Sequence, residues 1–168
     1  MKKLNKALNM FEDGLIAILL FSATVLLFVN VILRKYFNSS TTWAEEAIRY
    51  AMIWITFIGG SVCARNYLHV GIDLVAENSS PKIKKILNAI AELSSAVFSF
   101  ILAYFGYENT RLVLETSQLS PALRMPMWLI YISIPIGCTI MGIRFIVNFW
   151  KTINDKSDKD DTPDFRTL

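Results

Sequence analysis

Two adjacent carboxylates and a guanidinium stand where hydrocarbon is expected. Residues 41–60, TTWAEEAIRYAMIWITFIGG, place Glu45, Glu46 and Arg49 at the mouth of an otherwise apolar stretch. Charge near a bilayer core is costly enough to require a reason. Three kinds of chemistry fit such a cluster: acid–base catalysis, ion coupling, or recognition of a partner. Catalysis is disfavoured, because neither a nucleophile nor a set of metal ligands accompanies the carboxylates. Glu45 and Glu46 lie four and three residues before Arg49, so all three can meet on one helical face. Thr42 and Glu45 form a capping-box pattern, and Trp43 suits an interfacial anchor. The plain reading is a capped helix start with a surface ion pair. The sharper reading is a polar cluster aimed at a partner.

Glu92 is a different case. It interrupts an apolar run over residues 86–107, roughly 10 Å in from its start at about 1.5 Å per residue. An intramembrane carboxylate is a functional candidate by default. Arg144 enters another apolar run at a similar depth, so a structural ion pair between Glu92 and Arg144 is expected ahead of ion coupling. His69 is the only histidine, which excludes a bis-histidine haem and a histidine-rich metal site. It reads as a hydrogen-bonding loop anchor. Cys63 and Cys138 show no CxxC spacing and read as free structural thiols. No cofactor is expected.

The elements that position these residues are membrane spans. The chain has 168 residues, 54% of them hydrophobic and 18% charged, with a mean hydropathy of +0.42. About 20 consecutive apolar residues cross a bilayer core. Residues 14–33 and 125–143 are runs without charge, 86–107 holds only Glu92, and 50–64 is the uncharged core of the stretch quoted above. The expected fold is all-α: an integral membrane protein with four transmembrane helices, at about 12–36, 43–65, 82–116 and 125–150. They make one four-helix membrane domain over 1–153, followed by a charged tail, 154–168, expected to be disordered. The start, MKKLNK, is basic, but the run behind it exceeds a signal-peptide core of about 7–15 residues. A retained helix is therefore expected.

Lysine and arginine placement orients the spans. Of the 17 basic residues, 12 precede the first span, lie between the second and third, or end and follow the fourth. Both termini are thus expected in the cytoplasm, with the loops after Arg34 and Glu108 outside. The net charge of +3 is a topology signal and implies no nucleic acid partner. The connection NYLHVGIDLVAENSSPKIKK is too polar to cross; its Val70, Ile72, Leu74 and Val75 suit the membrane surface. Gly59, Gly60 and Ala64, and the ridge of Ala91, Ser95, Ser99 and Ala103, allow close helix packing. Glu108, Arg111 and Glu115 extend the third helix beyond the membrane. Pro121 and Pro126 stiffen the loop after it, and Pro135 should kink the fourth helix. Two matching inverted halves, expected of an autonomous transporter, are not evident.

These residues together resemble a known family. The W-A-E-E-A-I-R start of the second span is followed by Trp54, Phe57, Gly59 and Gly60 as W-x-x-F-x-G-G, then by His69 and Val70. The run Q-L-S-P-A-L-R-M-P-M-W over 118–128, with Tyr131 and Pro135-x-Gly137, completes the set. In this order they are similar to the small membrane subunit of tripartite ATP-independent periplasmic (TRAP) transporters, over about residues 10–150. The resemblance implies a sodium-coupled importer of an organic acid, of the C4-dicarboxylate or sialic acid class, delivered by a periplasmic binding protein. It implies that a large membrane subunit, here a separate polypeptide, carries the substrate and that this chain scaffolds it in the bacterial inner membrane. Membrane lipid is the remaining partner, and no enzymatic activity is implied. Partner-interface candidates are Trp43, Glu45, Glu46, Arg49, Gly59, Gly60, His69, Gln118, Ser120, Pro121 and Arg124. The alternative is a small four-helix exporter using Glu92 for ion coupling.

Overall fold

A computed structural model of the chain describes residues 2–37, 41–65 and 81–154. His69, the surface-seeking segment around it and the tail from residue 155 lie outside the described residues. The described elements are α1 (Lys2–Phe37), α2 (Thr42–Arg65), α3 (Pro81–Glu115), a one-turn α4 (Trp128–Tyr131) and α5 (Ser133–Asn154). Four helical segments are long and apolar enough to cross a membrane, α4 and α5 together forming the last. With 36 and 35 residues, α1 and α3 are each over 50 Å long at about 1.5 Å per residue. Both outreach a hydrocarbon core of about 30 Å.

The helices do not close into a bundle. They lie in a row, α1–α2–α5–α3, in which α1 packs along α2, and α3 packs on α5 and α4. The described part is thus a layer one helix thick. On α1 the inward residues Glu12, Ala23 and Asn30 recur at whole-turn intervals of about 3.6 residues. Its other faces carry exposed Phe11, Phe21 and Phe28, as suits a helix wetted by lipid.

Small residues set the contacts along the row. Ala91, Ser99 and Ala103 are buried on α3, with Ser95 half-buried, so the small-residue ridge is the face that meets α5. A Cβ on Gly142 would stand 3.0 Å from the Phe100 ring, and one on Gly106 2.7 Å from Ile134. Closest of all is Gly137, where a Cβ would fall 2.6 Å from the Phe57 carbonyl oxygen of α2. Because that neighbour is backbone, a methyl group there must push the helices apart. Gly137→Ala is expected to destabilise the protein by about 1–3 kcal/mol, the usual cost of overpacking. A thermal shift of the detergent-solubilised protein checks it, with Gly59→Ala, where a Cβ meets nothing within 4 Å, as the neutral control.

Pro135 lies in the first turn of α5. It has no N–H to offer the Tyr131 carbonyl, and the regular helix is interrupted at Ile132, between α4 and α5.

Candidate functional site

At the end of the layer carrying the 116–127 loop, a buried carboxylate organises the backbone. The end of α3 unwinds through Ser117, at φ 48°, and the chain folds into a short hairpin. The Ser120 N–H donates to Met125 O at 2.8 Å, the Met127 N–H to Gln118 O at 3.0 Å, and the Arg124 N–H to Ser120 O at 3.1 Å. Leu119 and Pro126 face each other as an antiparallel bridge. Arg124 takes the left-handed conformation, φ 51°, which is uncommon for a residue with a side chain. Two N–H groups at the hairpin tip, of Ala122 and Leu123, donate to Glu46 Oε2 at 2.8 and 2.9 Å. The other carboxylate oxygen accepts the Tyr50 hydroxyl. Successive backbone N–H groups make a natural cradle for an anion, and here the anion is Glu46 itself, 8% exposed.

That geometry separates residues expected to act together. Neighbouring helical residues point about 100° apart at 3.6 residues per turn. Glu46 therefore turns to the loop, while Glu45 and Arg49 stay exposed, although all three line one groove. Nor does the capping box form as expected. Thr42 is already helical, and the residue before it, Thr41, accepts the Ala44 N–H at 3.0 Å. Both the Thr41 N–H and its hydroxyl donate to Asn30 Oδ1 of α1, at 3.2 and 2.9 Å. A groove of about 480 Å³ opens beside this corner, lined by Glu45, Glu46, Arg49, Tyr50, Met127 and Tyr131 among others. Trp43, Gln118, Pro121 and Arg124 are exposed around it, whereas Ser120 is buried and its hydroxyl accepts the Met125 N–H. Gly60 packs toward Met141, while Gly59 faces open space.

At the opposite end, the expected Glu92–Arg144 pair is not formed. Arg144 donates through Nη2 to Glu12 Oε2 at 2.7 Å and to Asn9 Oδ1 at 2.9 Å, and through Nη1 to the Ser61 carbonyl at 2.7 Å. The Ser61 hydroxyl donates to Glu12 Oε1 at 3.0 Å. Glu12 is 2% exposed, so a buried pair with a hydrogen bond to each carboxylate oxygen joins α1, α2 and α5. The cause is the order of the row: α5 turns Arg144 toward α2 and α1, and Glu92 sits on the other side, on α3. Glu92 instead accepts the Thr152 hydroxyl at 3.1 Å through Oε1, and its Oε2 has no hydrogen-bond partner. A second bridge, Arg65 to Asp13 at 2.8 Å, lies nearer the surface. Asn148 Nδ2 adds a bond to the Ala64 carbonyl at 2.9 Å.

Comparison with known proteins adds an independent line. Residues 23–155 match the family model described as tripartite ATP-independent periplasmic transporters, DctQ component. The chain is 25% identical, over 170 residues, to the C4-dicarboxylate TRAP transporter small permease protein DctQ of Vibrio cholerae, covering 88% of this chain and 73% of that one. It is 29% identical, over 160 residues, to the sialic acid TRAP transporter permease protein SiaT of Haemophilus influenzae. That match spans 94% of this chain but 25% of the longer permease. To the ectoine TRAP transporter small permease protein TeaB of Halomonas elongata it is 25% identical, over 76% of this chain and 66% of that one.

Proposed function

The chain belongs to the DctQ component of the tripartite ATP-independent periplasmic transporters, and on that footing we propose that it is the scaffolding subunit of a sodium-driven organic-acid importer. It is a multi-pass protein of the bacterial inner membrane and a transporter component, not an enzyme. Membership sets aside the small exporter. The proposed substrate is a carboxylate of the C4-dicarboxylate or sialic acid class, handed over by a periplasmic binding protein to the large permease. Both termini face the cytoplasm in this reading, as the basic residues suggest, and the 116–127 hairpin faces the periplasm. There Gln118, Pro121 and Arg124 are offered to the binding protein on a backbone stiffened by Glu46, which lowers the ordering entropy lost on docking.

The observation that carries the scaffolding role is the one-helix-thick row. A substrate path needs walls on several sides, and a layer supplies one wall. Support for the substrate class comes from the carboxylate-transporting relatives. Reconstitution tests the whole reading. Proteoliposomes holding this chain and the large permease, supplied with binding protein and an inward sodium gradient, are expected to accumulate labelled organic acid. Liposomes with this chain and binding protein alone are expected to accumulate none. Uptake by this chain alone would overturn the scaffolding role.

A further inference from the structure

One face of α2 carries mostly small and charged side chains along its whole length. Glu45, Arg49, Met52, Thr56, Gly59 and Cys63 follow one another at alternating steps of four and three residues. That spacing keeps them on a single stripe from the mouth of the helix to its far end. All are exposed except Gly59, which is half-buried but beside which a Cβ would meet no atom within 4 Å. The Thr56 hydroxyl is tied back to the Met52 carbonyl at 2.8 Å, which leaves its side chain compact. On α1 the exposed small residues Ser22 and Thr24 are interleaved with exposed Phe21, Val25 and Phe28, and α3 exposes Phe98 and Phe105.

We infer that this α2 stripe is the seam along which a transmembrane helix of the large permease packs; the inference rests on the function proposed above. Helices in lipid associate through close backbone approach at small residues, because hydrocarbon offers no hydrophobic driving force. Thr56, Gly59 and Cys63 permit such an approach, with Gly59 at its closest point. Glu45 and Arg49 supply the polar end of the seam, one of each sign inside the candidate span Thr42–Arg65. Glu46, their neighbour, is already satisfied by the hairpin, whereas Glu45 and Arg49 present an acid–base pair for a complementary pair on the partner. The occupant follows from the SiaT relative, in which the segment similar to this chain is a quarter of one permease. The rest of that longer permease is the counterpart of the large permease, and the seam is where it takes its place here.

The seam contains its own probe. Cys63 is exposed and the only other cysteine, Cys138, is fully buried. In membranes holding this chain alone, a maleimide is expected to label Cys63 readily. Co-expression of the large permease is expected to slow that labelling by about tenfold or more, as burial in an interface shields a reactive group. A steric test accompanies it. Gly59→Trp, at a position where a Cβ meets no atom of this chain within 4 Å, is expected to reduce co-purified large permease by about tenfold or more, in line with overpacking costs. Ser22→Trp, on the exposed face of α1, is expected to leave co-purification unchanged. Wild-type recovery with Gly59→Trp, or Cys63 labelling unaffected by the large permease, overturns the seam. Oxidative cross-linking of Cys63 to Cys63 would assign it to a second copy and overturn it too. Failure of the unsubstituted chain to co-purify with the large permease would instead overturn the functional reading beneath it.

Discussion

Arg144→Met is expected to be the most damaging single substitution in the membrane domain. It leaves Glu12, 2% exposed, as an uncompensated buried carboxylate, and breaking a buried pair in this way costs about 3–5 kcal/mol. It also withdraws donors from Asn9 and the Ser61 carbonyl, which separates α1 and α2 from α5 at that end. The expected result is a large fall in folded protein recovered from detergent and in its thermal midpoint. Converting both partners, Glu12→Leu with Arg144→Met, should recover most of the loss, because an apolar replacement of a buried ion pair is often near neutral. Glu92→Gln should change stability far less, since only one hydrogen bond, from Thr152, is involved. A melt for Glu12→Gln indistinguishable from the unsubstituted protein, together with a severe one for Glu92→Gln, would mean that the ion pair is wrongly assigned.

The second large effect belongs to the opposite end. Glu46→Ala removes the acceptor for both the Ala122 and Leu123 N–H groups. Hydrogen bonds to a charged group are stronger than neutral ones, so the hairpin tip beside Arg124 loses its strongest anchor and keeps only the hairpin's own backbone bonds. Amide exchange at Ala122 and Leu123 is expected to accelerate by a factor of about ten or more, the counterpart of some 1.4 kcal/mol of lost local stability. Transport should fall with it. Association with the large permease should persist, because Glu46 lies off the α2 stripe. Exchange at these two amides as slow as in the parent protein would show that the hairpin holds itself without the carboxylate.

Much of the fold could be read from residue order, for physical reasons. A charge-free run of membrane length admits few structures but a helix. A ridge such as Ala91, Ser99 and Ala103 announces close packing before its partner is known, and Pro135 announces a missing hydrogen bond. What stayed hidden depends on which helix stands beside which. Arg144 and Glu92 lie at similar depth, but depth says nothing about the side of α5 from which Arg144 projects. Its partner Glu12 had a visible signal, one of two adjacent acids, Glu12 and Asp13, just before the run 14–33, though none that pointed to residue 144. Glu45 and Glu46 are chemically identical and adjacent, so only the position of the hairpin decides which is buried. Its N–H groups belong to the backbone, on which side-chain identity is silent. Asn30 was the most recoverable omission: an amide inside an apolar run needs a partner, and Thr41 follows within reach of the next turn.

The row of helices also has a consequence for the lipid. Four helices arranged two by two hide their inner sides from the bilayer, whereas four in a file leave two broad flanks in contact with acyl chains. Each flank orders a belt of annular lipid along its whole width. When one flank is covered by another protein, that belt is returned to the fluid bilayer, and the entropy of the released lipid is one of the few forces that favour association inside a membrane. Among the described residues, the arrangement that leaves two flanks open is therefore also the one that offers the most lipid to be set free.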